Sequence, residues 1–211
     1  MLDLWRTFLR LFFRLLYNEL AWSYDLVAWF VSRGRWRAWG RTTLPYVRGQ
    51  CVLELGHGPG HLLVALAQRR HSPMGLDLSR NMGRQARRRL QRTGLSVPLV
   101  QARAQSLPFR DGSLDTVLAT FPTDFIVQPQ ALRQVQRVLK HQGRFIVAAA
   151  ARFNGNDPWS RFLAWLYGVT GQSAASAEPF TSWFEAAELS PNVVWEEVDN
   201  VAIMLLIADN V

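Results

Sequence analysis

Cysteine and lysine are almost absent from the 211-residue sequence. Cys51 is the only cysteine, which excludes an internal disulfide and the paired Cys/His spacings of zinc sites, so we expect no metal centre and a reducing compartment. Cys51 opens an apolar run, and we interpret it as a small buried side chain rather than a nucleophile. Lys140 is the only lysine among 24 basic residues, so arginine supplies nearly all of the positive charge.

The sequence also lacks a long uninterrupted apolar run. A membrane-spanning helix needs about 20 such residues, but Arg6, Arg10 and Arg14 interrupt the N-terminal apolar stretch. No small-residue cleavage pattern follows them, which argues against a signal peptide. The apolar run Val201–Ala208 is too short to span. We therefore expect a cytoplasmic protein, either free or peripheral at the inner membrane face.

The composition indicates a globular chain with one core. Hydrophobic residues make up 49% of the sequence and charged residues 19%, proportions typical of a packed domain. The formal net charge of +8 favours anionic partners such as membrane surfaces, nucleic acid or phosphorylated substrates. A solvated basic surface without such a partner explains the same charge equally well.

Residues 1–48 are predicted to form an amphipathic helical extension or lid, and residues 49–211 the main domain. Residues 2–31 contain no proline or glycine, and Arg6, Arg10 and Arg14 recur every four positions, as along one face of a helix. Tryptophan and arginine then interleave through Ser32–Arg41.

Strand-like and helix-like segments alternate beyond residue 50, which is typical of a parallel sheet with helices on both faces. The predicted strands are Cys51–Leu55, Pro73–Leu78, Val97–Ala102, Leu114–Ala119 and Arg144–Ala150, followed by a hairpin of Val193–Val198 and Val201–Ala208. The predicted helices are His61–Arg70, Arg80–Thr93, Gln130–Lys140, a short one near Trp159–Tyr167, and Phe180–Leu189. The expected fold class is α/β: a doubly wound, Rossmann-like, mostly parallel seven-stranded sheet with an antiparallel C-terminal hairpin strand.

A glycine-rich loop follows the first predicted strand. Glycines alternate through Gly56–Gly60, where backbone can approach a ligand without a Cβ in the way. Asp77 ends the next strand, the place of a ribose-binding carboxylate in such folds. A dinucleotide loop requires a third small residue where this sequence has the bulky His61. Glu54, two residues before the loop, suits a ligand with a cationic amino group.

These motifs together resemble those of class I S-adenosylmethionine-dependent methyltransferases. The segments that carry the resemblance are Glu54–Gly60, Gly75–Ser79 with Met82, Ala104–Phe109 with Asp111 and Leu114-Asp115, and Val138–Arg144. They occur in the family's order, and the likeness extends over roughly residues 22–208.

The resemblance implies that the chain binds S-adenosyl-L-methionine. The implied cofactor-binding residues are Glu54, Gly56, His57, Gly58, Gly60, Asp77, Leu78, Met82, Ala104, Gln105, Thr120 and Phe121. In the family, the first acid and the loop hold the methionine moiety, and the second acid holds the ribose hydroxyls. Arg103 stands where relatives usually carry an acid, so the usual side-chain contact to the adenine amino group is not carried over.

Within this class, Tyr24-Asp25, Ser32-x-Gly34 and Trp39 are similar to the ubiquinone and menaquinone biosynthesis methyltransferases (the type 11 group). Phe121–Phe125 replaces their Arg-Asn pair, so the quinone-ring contacts are not carried over. We expect a small hydrophobic acceptor of lipid, quinone-like or isoprenoid type. The candidate residues near it are Tyr24, Asp124, His57 and His61, of which Tyr24 and Asp124 are the catalytic candidates. Asp124 also suits a helix N-cap.

Several alternatives remain open from the sequence. The N-terminal helix of residues 1–30 would lie on an anionic membrane surface or pack over the domain as a lid. The arginines of Arg80–Arg92 fit RNA phosphates, although no RNA-binding module accompanies them, so nucleic acid is the less favoured partner. An NAD-dependent oxidoreductase and a non-catalytic cofactor-binding protein are the other two possibilities.

Overall fold

The computed structural model describes residues 35–122, 126, 128–153, 184 and 189–210. Several predictions therefore lie outside the described residues: the N-terminal helix with its arginine stripe, the short helix near Trp159–Tyr167, and the candidates Tyr24 and Asp124. Within the described part, no helix combines the length and apolar character that crossing a membrane requires.

The elements follow the predicted alternation. The helices are α1 (Trp36–Arg41), α2 (His61–Gln68), α3 (Arg80–Arg92) and α4 (Pro129–Val138), with a short 3-10 helix at Leu44–Tyr46. The strands are β1 (Cys51–Leu55), β2 (Ser72–Asp77), β3 (Leu99–Gln101), β4 (Leu114–Thr120), β5 (Leu139–Phe153), β6 (Ser190–Val198) and β7 (Val201–Asp209).

The strands form one seven-stranded sheet in the order β3-β2-β1-β4-β5-β7-β6. Strands β1 to β5 pair in parallel, and β7 runs antiparallel between β5 and β6. The predicted fold class is thus confirmed, including the reversed C-terminal strand. The chain moves outward from β1 to β3 and then returns to place β4 on the other side of β1. In an open α/β sheet such a reversal leaves a ligand crevice at the carboxyl ends of the strands.

Several element boundaries differ from the prediction by one or more residues, and two of these differences have a clear cause. Helix α4 ends at Val138, and the extended Leu139 opens β5, whereas the sequence pattern predicted a helix to Lys140 and a strand from Arg144. Strand β3 is limited to Leu99–Gln101. Pro98, which has no N–H to donate, precedes it and contributes only its carbonyl to Gly75.

The core lies on both faces of the sheet. Phe145 packs on the α4 side, and its neighbour Ile146 packs on the α1 and α2 side, as alternation along a strand requires. Trp39 of α1 is 1% exposed and belongs to the group of buried residues on the α1 and α2 side. Cys51 is half-buried rather than buried, since it is the first residue of β1.

Helix α1 covers the carboxyl end of β4. The ring of Trp36 lies 4.7 Å from that of Phe121, the residue after β4, and Trp39 meets the same ring at 6.2 Å. A Cβ on Gly40 would lie 3.8 Å from the Thr120 side chain. Helix α1 therefore forms one wall of the crevice that the sheet topology creates.

Candidate functional site

The loop after β1 needs glycine for its backbone. Gly56, Gly58 and Gly60 have φ values of 68°, 50° and 79°, in the left-handed region that glycine tolerates best. A Cβ on Gly60 would lie 2.9 Å from the Ala86 Cβ, so this glycine also allows α2 and α3 to approach. The loop thus connects β1 to α2, and the backbone of the loop faces the crevice.

Asp77 joins the end of β2 to this loop. Its Oδ2 accepts a hydrogen bond from the Gly58 N–H at 2.9 Å, and its Oδ1 accepts one from the Ser79 N–H at 2.8 Å. The Gly56 N–H adds a 2.7 Å hydrogen bond to the Leu76 carbonyl. The structure therefore brings together the glycine loop and the acid that the sequence analysis paired.

Glu54 lies beneath the loop in the central strand. It is 2% exposed, and its Oε2 has no hydrogen-bond partner within the described part of the chain. Burial raises the pKa of the Glu54 carboxyl well above its ordinary value, and the charge of Asp77 adds to this, while a hydrogen bond from the Leu63 backbone opposes it. A cationic group placed beside Oε2 would stabilise the carboxylate.

His57 packs under the loop with its side chain almost completely buried. It is 4% exposed, and its Nδ1 lies 2.7 Å from the Gly58 carbonyl oxygen. The absent Cβ of Gly75 makes room for it, since a Cβ there would lie 2.7 Å from the His57 Cδ2. Burial lowers the pKa of His57, although the Asp77 charge raises it in part.

Two cavities flank the loop. One of about 530 Å³ is lined by His57, Asp77 and Ser79 together with α3 and β3. The other, of about 300 Å³, is lined by Glu54, Gly56, Gly58, His61 and Thr120 together with α1. The second cavity places His61 beside the loop.

The remaining predicted cofactor residues have different environments. Leu78 is 59% exposed at the rim, whereas Met82 is fully buried in α3 and packs in the core. Ala104 is buried, and the Gln105 Nε2 donates to the Gln128 Oε1 at 2.6 Å. Phe121 has a φ of +46°, a strained conformation for a non-glycine residue, held by a 2.8 Å hydrogen bond from its N–H to the Ala148 carbonyl.

The sequence analysis missed residues of α1 and α3 that line the second cavity. These are Trp36, Arg37, Gly40, Arg41 and Arg89. The interleaved tryptophan and arginine residues of Ser32–Arg41 were visible in the sequence. Which of these side chains face the cavity depends on how α1 packs against the sheet.

Comparison with known proteins identifies a methyltransferase domain within this chain. Residues 52–143 match a family model described as "Methyltransferase domain". Over 140 residues the chain is 32% identical to the ubiquinone/menaquinone biosynthesis C-methyltransferase of Klebsiella pneumoniae, an alignment that covers 62% of this chain and 56% of the relative. Residues 52–143 form a class I S-adenosylmethionine-dependent methyltransferase domain. This match favours the methyltransferase over the NAD-dependent alternative.

Solved methyltransferases share the fold. Geranyl diphosphate C-methyltransferase from Streptomyces coelicolor A3(2), crystallised with Mg²⁺, geranyl diphosphate and S-adenosyl-L-homocysteine, superposes with a TM-score of 0.63 at 17% identity, covering 82% of this chain and 79% of that one. A geranyl diphosphate methyltransferase in complex with S-adenosylmethionine gives a TM-score of 0.65 at 17% identity, covering 83% and 85%. At such identities the likeness shows the fold.

The residues of the crevice fit the cofactor of this family. The unpartnered Oε2 of Glu54 offers a buried anionic atom to the ammonium group of the methionine moiety. No described atom lies within 4 Å of the place that a Cβ on Gly58 would take, so the loop leaves open space above its backbone. Each Asp77 oxygen accepts a single backbone hydrogen bond and keeps acceptor capacity for ribose hydroxyls.

Proposed function

We propose that the whole protein transfers the methyl group of S-adenosylmethionine to a small hydrophobic acceptor of lipid, quinone-like or isoprenoid type. The observation that carries this proposal is the adjacency of the Glu54 and glycine-loop site to the aromatic wall formed by α1 and Phe121. The chain spans only 56% of the length of the curated relative, so the activity of that relative does not transfer by itself.

The chain's own residues would mainly bind and orient. Glu54 holds the ammonium group, the amides of Gly56–Gly60 approach the methionine moiety, and Asp77 accepts from the ribose hydroxyls. The cofactor, when bound, supplies an electrophilic methyl group on a sulfonium. Because methyl transfer of this kind is an in-line displacement, alignment of donor and acceptor can supply much of the rate enhancement.

The acceptor side supports an apolar substrate. Trp36 is half-buried and lines the same cavity as Thr120 at the end of β4. Behind it, Trp39 packs edge-on against Phe153 at 5.8 Å, which stiffens the wall. Tyr24 and Asp124 stay predicted acceptor-side residues outside the described part.

The proposal includes two partners besides the small-molecule acceptor. Residues 1–30 would add contact with an anionic membrane surface, which favours a lipid-phase acceptor.

RNA methylation is the second candidate function, because α3 carries an exposed basic face formed by Arg80, Arg84, Arg87, Arg88 and Arg92.

The proposed reaction is tested by methyl transfer from labelled S-adenosylmethionine to defined acceptor pools. The protein is incubated separately with an isoprenoid and quinone extract, a phospholipid extract and total RNA, and label is counted in each product. Label in an organic-phase product, abolished by Asp77→Ala and kept by Asp111→Ala at an exposed turn, supports the proposal. Label confined to RNA, or label in no pool while S-adenosylhomocysteine binds, overturns it.

A further inference from the structure

Positive charge gathers at the mouth of the second cavity. Arg37 and Arg41 of α1 and Arg89 of α3 line it together with the glycine loop. Arg37 and Arg41 are four residues apart and so lie on one face of α1. Gly40 on the same helix approaches Thr120 at the end of β4. The two guanidinium groups therefore belong to the face of α1 beside the site proposed for methyl transfer.

The charges of Arg37 and Arg41 are not paired within the described part of the chain. Arg35, one position outside α1, pairs with Asp199 at 3.5 Å, but neither Arg37 nor Arg41 has an acidic partner among the described residues. Arg89 donates from its Nη1 to the Pro59 carbonyl, which holds its guanidinium beside the loop. Among the described residues, Glu54 is the only one with a carboxylate that lines the cavity, and it is buried.

An apolar surface adjoins the charged rim. Trp36 presents a half-buried ring to the same cavity, in contact with Phe121. A ligand that satisfies both surfaces has an anionic head and an apolar body. Arginine is well suited to such a head because its planar guanidinium binds phosphate through paired N–H donors.

We propose that the acceptor carries a phosphate-type anionic group, which Arg37 and Arg41 bind while Trp36 contacts its apolar portion. This inference rests on the proposed function and narrows its substrate class. It also assigns Arg37 and Arg41 as residues that determine acceptor specificity.

The test compares two probes that differ only in the anionic group. Geranyl diphosphate and geraniol are titrated into the full chain saturated with S-adenosylhomocysteine, with EDTA present so that no metal bridges the phosphates. Binding is followed by calorimetry and by tryptophan fluorescence, since Trp36 adjoins the arginines. We expect the diphosphate to bind at least roughly tenfold more tightly than the alcohol, as charge-assisted hydrogen bonds would give. Equal affinity for the two probes overturns the proposal.

Matched variants separate the cavity from general charge. Arg37→Gln/Arg41→Gln should weaken diphosphate binding roughly tenfold or more. An equal loss of S-adenosylhomocysteine affinity in this variant would assign the two arginines to the carboxylate of the methyl donor and would overturn the proposal. Arg88→Gln/Arg92→Gln removes the same charge from the exposed face of α3 and should leave both affinities unchanged. Equal weakening by the two double variants contradicts the assignment. Failure of the unmodified protein to bind S-adenosylhomocysteine would instead contradict the proposed function itself.

A phosphate group could come from a soluble metabolite or from a lipid headgroup, and two further titrations distinguish them. Competition by inorganic diphosphate without binding to phosphatidylglycerol vesicles indicates a soluble phosphorylated acceptor. Binding to phosphatidylglycerol but not phosphatidylcholine vesicles, lost in Arg37→Gln/Arg41→Gln, indicates a lipid headgroup. Insensitivity of every probe to Arg37 and Arg41 overturns the proposal for both sources.

Discussion

Asp77 and Gly58 are joined by a 2.9 Å hydrogen bond from the Gly58 N–H to the Asp77 Oδ2. This contact links the carboxyl end of β2 to the loop that follows β1, so one carboxylate both shapes the loop and faces the crevice. Removal of the side chain therefore affects the site in two ways: the loop amide loses its acceptor, and the ribose loses its proposed partner.

Replacement of Asp77 by alanine should weaken S-adenosylhomocysteine binding by about 2 to 4 kcal/mol, because at least one charge-assisted hydrogen bond to the ligand and one to the loop are lost. Isothermal calorimetry measures the change. Asp111→Ala is the control, since Asp111 pairs with Arg137 at an exposed position away from the loop. Identical affinities in Asp77→Ala and the unmodified protein would show that the acid does not contact the ligand.

Cofactor affinity should rise with pH because of Glu54. Burial raises the pKa of this carboxyl in the free protein, whereas a bound ammonium group favours its ionised form. Binding then releases a proton from Glu54, and affinity increases as pH approaches the raised pKa. Calorimetry in two buffers of different ionisation enthalpy, between about pH 5 and about pH 8, detects that proton. Glu54→Gln should bind weakly with a flat pH profile; a flat profile in the unmodified protein argues against the contact.

The same carboxyl should make the ligand-free fold less stable at higher pH. A folded-state pKa above the unfolded value means that the native state binds the extra proton, so this contribution to stability is full below the unfolded pKa and falls as pH rises. Glu54→Gln should therefore gain Tm relative to the unmodified protein as pH rises from about 5 to about 8. Thermal melts without ligand measure the Tm of Glu54→Gln minus the Tm of the unmodified protein. A difference that stays constant or falls as pH rises would contradict this account.

Gly75→Ala should disturb the support of the glycine loop. The new Cβ would lie 2.7 Å from both the His57 Cδ2 and the Leu63 Cδ1 in a packed region, which typically costs about 1–3 kcal/mol of stability. Denaturant unfolding gives the free energy, and calorimetry should show weaker S-adenosylhomocysteine binding. Gly83→Ala is the stability control: no described atom lies within 4 Å of its Cβ position, and alanine favours a helix interior by roughly 1 kcal/mol. Equal unfolding free energies in the two variants would exclude crowding at His57.

Local sequence patterns predicted most of the central fold. The buried runs that became β1 and β4 are short and apolar, and the alternation with helices specified a parallel sheet. The boundary between α4 and β5 was wrong because it depends on distant contacts. Asn210 donates from its side chain to the Leu139 carbonyl at 3.1 Å, and its backbone pairs with Gln142 and Gly143. The helical periodicity of the sequence up to residue 140 does not indicate this contact, because the partner lies 70 residues away along the chain.

The residues of the candidate site were also only partly predictable from the sequence. The glycine loop and its acid are recognisable from spacing, since each follows a strand and parallel strands end at one edge. The sequence named His57 as a candidate but could not predict its burial, which depends on the space that Gly75 on the neighbouring strand leaves for its ring. The arginines of α1 could not be placed at the cavity until the packing of Trp39 fixed the orientation of that helix.

The central claim is that the crevice formed by Glu54, Gly56–Gly60 and Asp77 binds the methyl donor. Calorimetric titration of the unmodified full chain with S-adenosylhomocysteine, and separately with NAD, tests it most directly. We predict saturable, one-to-one binding of S-adenosylhomocysteine and no heat of binding for NAD. Saturable binding of NAD with none for S-adenosylhomocysteine would contradict the account.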